Sequence, residues 1–315
     1  MCGLKSAGFP SNCMYGNKTA HVTLKNMVCH VDLHVHSTAS DGTDDPADLV
    51  SMAARLGLAA IALTDHDTIA GLEEAEEAAA RLQVGFIRGC ELAASSEYGE
   101  VHILGLWLPR DMPVLTLALE EWRKRRDSRN ALIVENLRRN GFPIEYREVE
   151  DVAKGESVGR LHIARALAGK GLVPSIQAAF DTLLGDDKPM HVPRELPTPK
   201  EVVQLLRSEG ASVVFAHPML LRAPMEWLND CIADLCPFGL DAIEAYHSDH
   251  DQEDVRCCVR LAGKHGLALS GGSDYHGLAR ADVRLGAGAH GMKLPWHLVE
   301  TLQKQRKRNG LPVVA

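Results

Sequence analysis

The stretch Cys29-His-Val-Asp-Leu-His34-Val-His36-Ser-Thr-Ala-Ser40-Asp41-Gly42 decides how the chain is read. Its first half is a short, largely apolar run of strand type that ends in two histidines. Residues two apart in a strand point to the same face, so the imidazoles of His34 and His36 can reach one ion. Asp41 follows in a glycine-containing turn directly beyond them. An H-x-H pair at one strand end is also compatible with two ordinary histidines. The decision therefore rests on what the other strand ends carry.

Working outward, further strand-like runs are Leu58–Thr64, Val84–Cys90, Val101–Leu108, Ala211–Ala216, Leu240–Glu244 and Leu267–Gly271, with Cys29–His34 as the first. They are short, apolar on both faces and often β-branched, as parallel strands buried under helices should be. Most end in groups that can bind a metal. The second closes in Thr64-Asp65-His66-Asp67 directly after Ala-Ala-Ile-Ala-Leu. Polar groups there are costly unless they face a site. His66 is the ligand candidate; Asp65 or Asp67 can orient it or cap the next helix, with capping the favoured role for Asp67. Glu91 closes the third run and His102 begins the fourth. His217-Pro218 ends the fifth, Glu244-Ala-Tyr246-His247-Ser248 the sixth, and Gly272-Ser-Asp274-Tyr-His276 follows the seventh.

Strand runs alternating with amphipathic helical stretches predict an α/β barrel of distorted form, with its polar groups gathered at one rim. Only Leu92 to Glu100 separate the third and fourth runs, too few for a helical crossover, so these two should form an antiparallel hairpin. Asp45-Pro46 with Asp48, and Thr198-Pro199 with Glu201, mark helix starts. From residue 115 to 196 the strand signal gives way to helical periodicity. The expected organisation is a barrel over 28–114 and 197–315, with a helical insertion, 115–196, as a cap over substrate.

The bulk composition fits a reduced, cytoplasmic, globular protein. Lys and Arg total 34 against 42 Asp and Glu, a formal charge of -8, so no global basic field exists to hold long nucleic acid. Eight cysteines include no C-x-x-C pair, which argues against thiolate zinc and a disulfide framework. No apolar run reaches bilayer length, and nothing implies a stable protein partner. Residues 1–27 lack an apolar signal core and are expected to be a disordered extension. The basic run Trp122-Arg-Lys-Arg-Arg126 is read first as a solvated helix face and second as a track for an RNA end.

These motifs resemble the polymerase and histidinol phosphatase (PHP) family. The matching stretches are Asp32-Leu-His34-Val-His36-Ser37, Thr64-Asp65-His66, Gly89-Cys-Glu91, His102, His217-Pro218 and Gly272-Ser-Asp274-Tyr-His276. The resemblance implies a distorted (β/α)7 TIM-like barrel and fills all nine metal-ligand positions: His34, His36, Asp41, His66, Glu91, His102, His217, Asp274 and His276. It places Glu91 centrally, as the bridge between ions. Within the family, Gly159-Arg160-Leu-His162-Ile-Ala and Ile243-Glu244-Ala-Tyr246-His247-Ser248 resemble members acting on nucleoside 3′,5′-bisphosphates or on short RNA from the 5′ end. By that likeness Arg160, His162, Tyr246 and His247 bind substrate, while Asp65 and His247 are candidate catalytic residues. Leu161 stands where proline is common in relatives.

Nine mixed nitrogen and oxygen ligands suit two or three divalent ions, Mn²⁺ first, with Zn²⁺ or Fe²⁺ as alternatives. The expected activity is hydrolysis of a phosphate monoester, foremost the 3′-phosphate of a nucleoside 3′,5′-bisphosphate. The alternatives are a 5′-3′ exoribonuclease on short RNA, a histidinol-phosphate phosphatase, and a non-catalytic module associated with a polymerase. An amidohydrolase is disfavoured, since no activating lysine motif is evident on a barrel strand.

Overall fold

Each of the seven apolar runs becomes a strand, and all belong to one sheet. The computed structural model describes residues 29–153 and 158–312; the extension expected over 1–27 lies outside the described residues. The strands are β1 (His30–Val35), β2 (Leu58–Leu63), β3 (Gly85–Ser96), β4 (Gly99–Leu106), β5 (Ser212–Phe215), β6 (Leu240–Tyr246), β7 (Ala268–Gly271) and β8 (Leu294–Pro295). Their order is β7-β6-β5-β4-β3-β2-β1-β8. A bridge between Val35 and Tyr275 brings the end of β1 to the segment after β7, so the sheet curls into a nearly closed barrel.

The hairpin expected from chain length is present. β4 runs antiparallel to both β3 and β5, while β1, β2 and β3 pair in parallel, as do β5, β6 and β7. β3 extends beyond the apolar run that announced it, β4 starts two residues earlier than its run, and only Glu97 and Tyr98 form the turn. Glu91 therefore sits within β3 rather than closing it. β8 is an eighth strand of two residues, antiparallel to the start of β1. Two residues carry no readable alternation, so periodicity could not announce it.

The helices are α1 (Pro46–Leu56), α2 (Leu72–Leu82), α3 (Pro113–Arg139), α4 (Tyr146–Ala153), α5 (Arg160–Gly169), α6 (Ile176–Ala179), α7 (Pro199–Ser208), α8 (Met225–Leu235), α9 (Gln252–His265) and α10 (His297–Arg308). α7 begins with the expected capping box: Thr198 Oγ1 accepts the Glu201 N–H, and the Glu201 carboxylate accepts the Thr198 N–H at 2.7 Å. α1 starts at the expected proline, but the Asp45 carboxylate accepts from the Thr38 hydroxyl instead of capping. The cap expected at Asp67 is also corrected. α2 begins four residues beyond that position's reach, with Gly71 at its N-cap, and Asp67 accepts the Ala93 N–H.

The barrel has a floor. Leu298, Val299 and Leu302 of α10 share one apolar cluster with Val31, Ala60, Ile87, Leu106, Val214 and Ala242 of the strands. Arg306 is buried beneath them, bonded to Ser212 Oγ at 3.1 Å and lying over the Trp107 ring. α10 thus closes the end where the parallel strands begin and leaves the opposite end for polar groups.

The chain divides into two compact units, one comprising the barrel up to Leu115 and again from Pro197, the other Thr116–Leu196. The second has its own core, in which Ile133, Leu137, Ile144, Val149, Ile163 and Leu167 pack together. Among the described residues, no helix is long and apolar enough to cross a membrane.

Candidate metal centre

β1 aims its histidines by means of a bulge. Asp32 pairs with Ile61 and Val35 with Leu63, so three steps of β1 lie against two of β2. An extra residue of this kind re-aims the side chains that follow it. Beyond it His34 and His36 project together, and their Nε2 atoms lie 3.1 and 3.2 Å from Oε2 of Glu91. Glu91 faces the same way from β3. Its pairing partner on β4 is Leu104, while His102 pairs with Ala93, which makes His102 a diagonal neighbour on the shared face.

Five imidazoles surround this one carboxylate. Oε2 is also 3.1 Å from Nδ1 of His66, and Oε1 is 3.0 Å from both Nδ1 of His102 and Nε2 of His217. Asp274 supplies a second carboxylate, with Oδ1 3.1 Å from His36 Nε2 and Oδ2 3.3 Å from His247 Nε2. Asp41 supplies a third, 3.2 Å from Nε2 of His276. All nine expected ligand residues fall within four overlapping groups, in each of which the donor atoms lie within 4.8 Å of one another. The groups are His36, Asp41, His66 and His276; His34, His36, Glu91 and Asp274; His34, His217 and Glu244; and His66, Glu91 and His102.

The backbone is bent to achieve this. Asp67, His217 and Asp274 adopt φ of 48°, 25° and 56°, a region costing roughly 1–3 kcal/mol for residues with a side chain. At Asp67 the turn lets its N–H reach the Glu91 carbonyl, stitching the end of β2 to β3. At Asp274 the N–H reaches the His34 carbonyl, and the N–H of His36 reaches the Tyr275 carbonyl, stitching β1 to the loop after β7.

Charge balance in the cluster is lopsided. Burial raises the cost of an ionised Glu91, but His66, His34 and His102 outweigh it and hold the carboxyl well below the usual range. Burial likewise opposes a charged His36, yet Asp274 and Glu91 prevail and hold the ring at about 10. His102 is raised to about 10 by Glu91 and Glu100 against the same penalty. His66 goes the other way, to about 4, because burial and the neighbouring rings dominate.

The donor set fits divalent cations. Nε2 of His36, Nδ1 of His102 and Nε2 of His247 are buried and face carboxylate oxygens 3.0–3.3 Å away, but none is aligned as an ordinary hydrogen bond. Buried polar atoms are otherwise nearly always paired. Imidazole nitrogens mixed with carboxylate oxygens suit Mn²⁺, Zn²⁺ or Fe²⁺ better than Ca²⁺.

Two supporting carboxylates went unassigned in the sequence. Glu244, fully buried on β6, lies 3.0 Å from His34 Nδ1 and accepts the His217 N–H at 2.9 Å. With Nδ1–H directed at Glu244, His34 would offer Nε2 to a cation held beside Glu91 and Asp274. Asp32 accepts the N–H groups of Ser273 and Gly286 and so fixes the loop that delivers Asp274. Both follow the rule that picked out Glu91, a carboxylate within a buried apolar run. Arg280, bonded to Asp274 at 2.9 Å, had no sequence signal.

The candidate catalytic and substrate residues are placed less uniformly. Asp65 is buried, and both its oxygens are engaged by Ser37 and Ser40, so it anchors the turn carrying Asp41. His247 is buried beside Asp274 and accepts the Asp249 N–H on Nδ1. Tyr246 is not brought to the cluster. A second bulge, between Glu244 and Tyr246, turns its side chain away, and it lines a separate cavity with α9, β7 and α10. In the second unit, Arg160 opens α5 and bonds to Asp186 and the Leu184 carbonyl, while His162 accepts the Gly159 N–H.

The chain is similar to known proteins. Residues 32–143 match the PHP domain. A 5'-3' exoribonuclease of Haemophilus influenzae is 34% identical over 245 residues, 78% of this chain and 89% of that protein. A 3',5'-nucleoside bisphosphate phosphatase of Chromobacterium violaceum is 31% identical over 257 residues, 79% of this chain and 88% of its own. A solved structure from Bifidobacterium adolescentis, assigned as a metal-dependent phosphoesterase, superposes with a TM-score of 0.75 at 30% identity. It covers 88% of this chain and 96% of that one.

Proposed function

Because this chain belongs to the PHP family of metal-dependent phosphoesterases, we propose that it hydrolyses the 3′-phosphate of nucleoside 3′,5′-bisphosphates. The observation that carries the hydrolytic reading is the convergence of five imidazoles on Glu91, with Asp41 and Asp274 beside them. His34, His36, Asp41, His66, Glu91, His102, His217, Asp274 and His276 would hold two or three divalent ions, Mn²⁺ foremost. Bound there, such ions supply Lewis acidity toward phosphoryl oxygens and a water of lowered pKa.

The chain's own residues do the rest. Glu244 keeps His34 in one tautomer, and Asp65 keeps the Asp41 turn in register. His66, His102 and Asp41 retain 27%, 23% and 51% side-chain exposure, so substrate enters on their side of the cluster. Arg160 is assigned to a substrate phosphate as a two-pronged donor, with His162 as a further contact. Its present partner, Asp186, is an exposed carboxylate that a phosphate would displace. His247 is assigned the proton that the leaving oxygen takes up. The six free cysteines among the described residues support a reducing, cytoplasmic setting.

The name of the Haemophilus relative favours a second reading, 5′-3′ exonuclease action on short RNA at the same centre. Phosphate release from adenosine 3′,5′-bisphosphate, a short 5′-phosphorylated RNA and histidinol phosphate separates the readings. Turnover of the mononucleotide equal to or above that of the oligomer supports the phosphatase; strong preference for the oligomer overturns it. Arg160→Ala should lower kcat/KM on the bisphosphate by about tenfold or more while metal content stays intact. Equal loss of metal would remove Arg160 from substrate binding.

A further inference from the structure

The barrel is closed only in part, and its seam has chemistry of its own. β7 and β8 are the two ends of the strand order, each paired on one side. The bridge from Val35 to Tyr275 closes the seam at the ligand end. Elsewhere along it lies a cavity of ≈ 640 Å³, bounded by α9, the start of β7, β8 and α10. That volume is within the range of small-molecule sites.

Its lining is divided. Tyr246, Leu267, Leu269, Met292, Leu294 and Leu298 give it an apolar wall. Among the described residues no aspartate or glutamate lines it, whereas Lys293, Lys304 and Arg308 all do. These three are exposed, and none of them makes an ion pair among the described residues. In a chain with 42 acidic and 34 basic residues, three unpaired cations around one apolar cavity form a local field of the opposite sign. By contrast, Arg88, Arg207 and Arg280 each have a carboxylate partner.

A wholly apolar occupant would leave the cations unused, and an inorganic anion would leave the apolar wall wet. We propose that the seam cavity binds a small organic anion with an apolar body, such as a medium-chain carboxylate. The tail lies against Leu269, Leu294 and Leu298, and the acid group lies among Lys293, Lys304 and Arg308. The site is distinct from the metal centre, whose ligands do not line it.

The test uses the full-length, metal-loaded protein and the fluorescent probe anilinonaphthalene sulfonate. The probe should bind saturably and be displaced by dodecanoate far better than by dodecanol. The double variant Lys304→Glu/Arg308→Glu should weaken dodecanoate by about tenfold or more. Thr301→Trp, which fills the cavity from α10, should weaken probe and dodecanoate alike. Metal content and phosphate release should be unchanged in both variants, since neither touches the metal centre. Dodecanol competing as well as dodecanoate would overturn the proposal, as would undiminished dodecanoate affinity in the charge-reversed protein.

Discussion

Glu244 touches no solvent, yet two of the proposed metal ligands depend on it, His34 through Nδ1 and His217 through its N–H. Carboxylates that orient metal-binding histidines are typically worth about 10–100-fold in affinity or activity. Glu244→Gln should therefore weaken metal binding by about that factor, as read by chelator competition, while the circular dichroism spectrum is retained. Unchanged affinity would make Glu244 a mere filler. A second outcome concerns protons. In the metal-free site His36 and His102 are held at about 10, so at pH 8 both rings carry a proton that an arriving cation must expel. Loading metal into stripped protein in weak buffer should acidify the solution, and affinity should rise as pH rises toward 10. Metal uptake without proton release would contradict that charge assignment. At this scale, the residues that converge were legible where a titratable residue abutted an apolar run, as at His34, Glu91 and Asp274. It did not reach Glu244's supporting role, because the pairing with His34 links positions 210 apart in the chain.

Elements turn those residues into a centre by small departures from regularity. One extra residue in β1 delivers His34 and His36 inward; another, in β6, keeps Glu244 inside and sends Tyr246 out. No alternation pattern shows a bulge, since apolar residues flank it on both faces, so nothing in the sequence corrected the expectation, drawn from family likeness, that Tyr246 binds substrate. The β3–β4 hairpin was legible from spacing alone, because chain length forbids a crossover. Gly272 exposes a further constraint between elements. A Cβ there would lie 2.5 Å from the His34 backbone nitrogen and 2.7 Å from its Cα. Gly272→Ala should push β1 from the loop after β7, costing about 1–3 kcal/mol of stability in urea unfolding. The displaced His34 should also lower metal affinity. Wild-type stability and affinity in this variant would mean that the close approach is readily relaxed.

Across the whole molecule, the division of labour follows the strand direction. α10 and its buried Arg306 fill the end where the parallel strands begin, and the imidazoles and carboxylates collect where they finish. Alternating strand and helix signals were enough to anticipate the barrel, because each parallel strand must be followed by a crossover. The two-residue β8 and the seam it leaves were not legible, since both arise from the curvature of the closed sheet. The central claim is that segments from residue 34 to residue 276 gather to hold ions around Glu91. Anomalous diffraction from crystals of the protein loaded with Mn²⁺ tests it most directly. At least two peaks should appear, with Glu91 oxygens ligating two of them and His34, His36, His66, His102, His217 and Asp274 completing their shells. Peaks located elsewhere, with none in ligand contact with Glu91, would contradict the account.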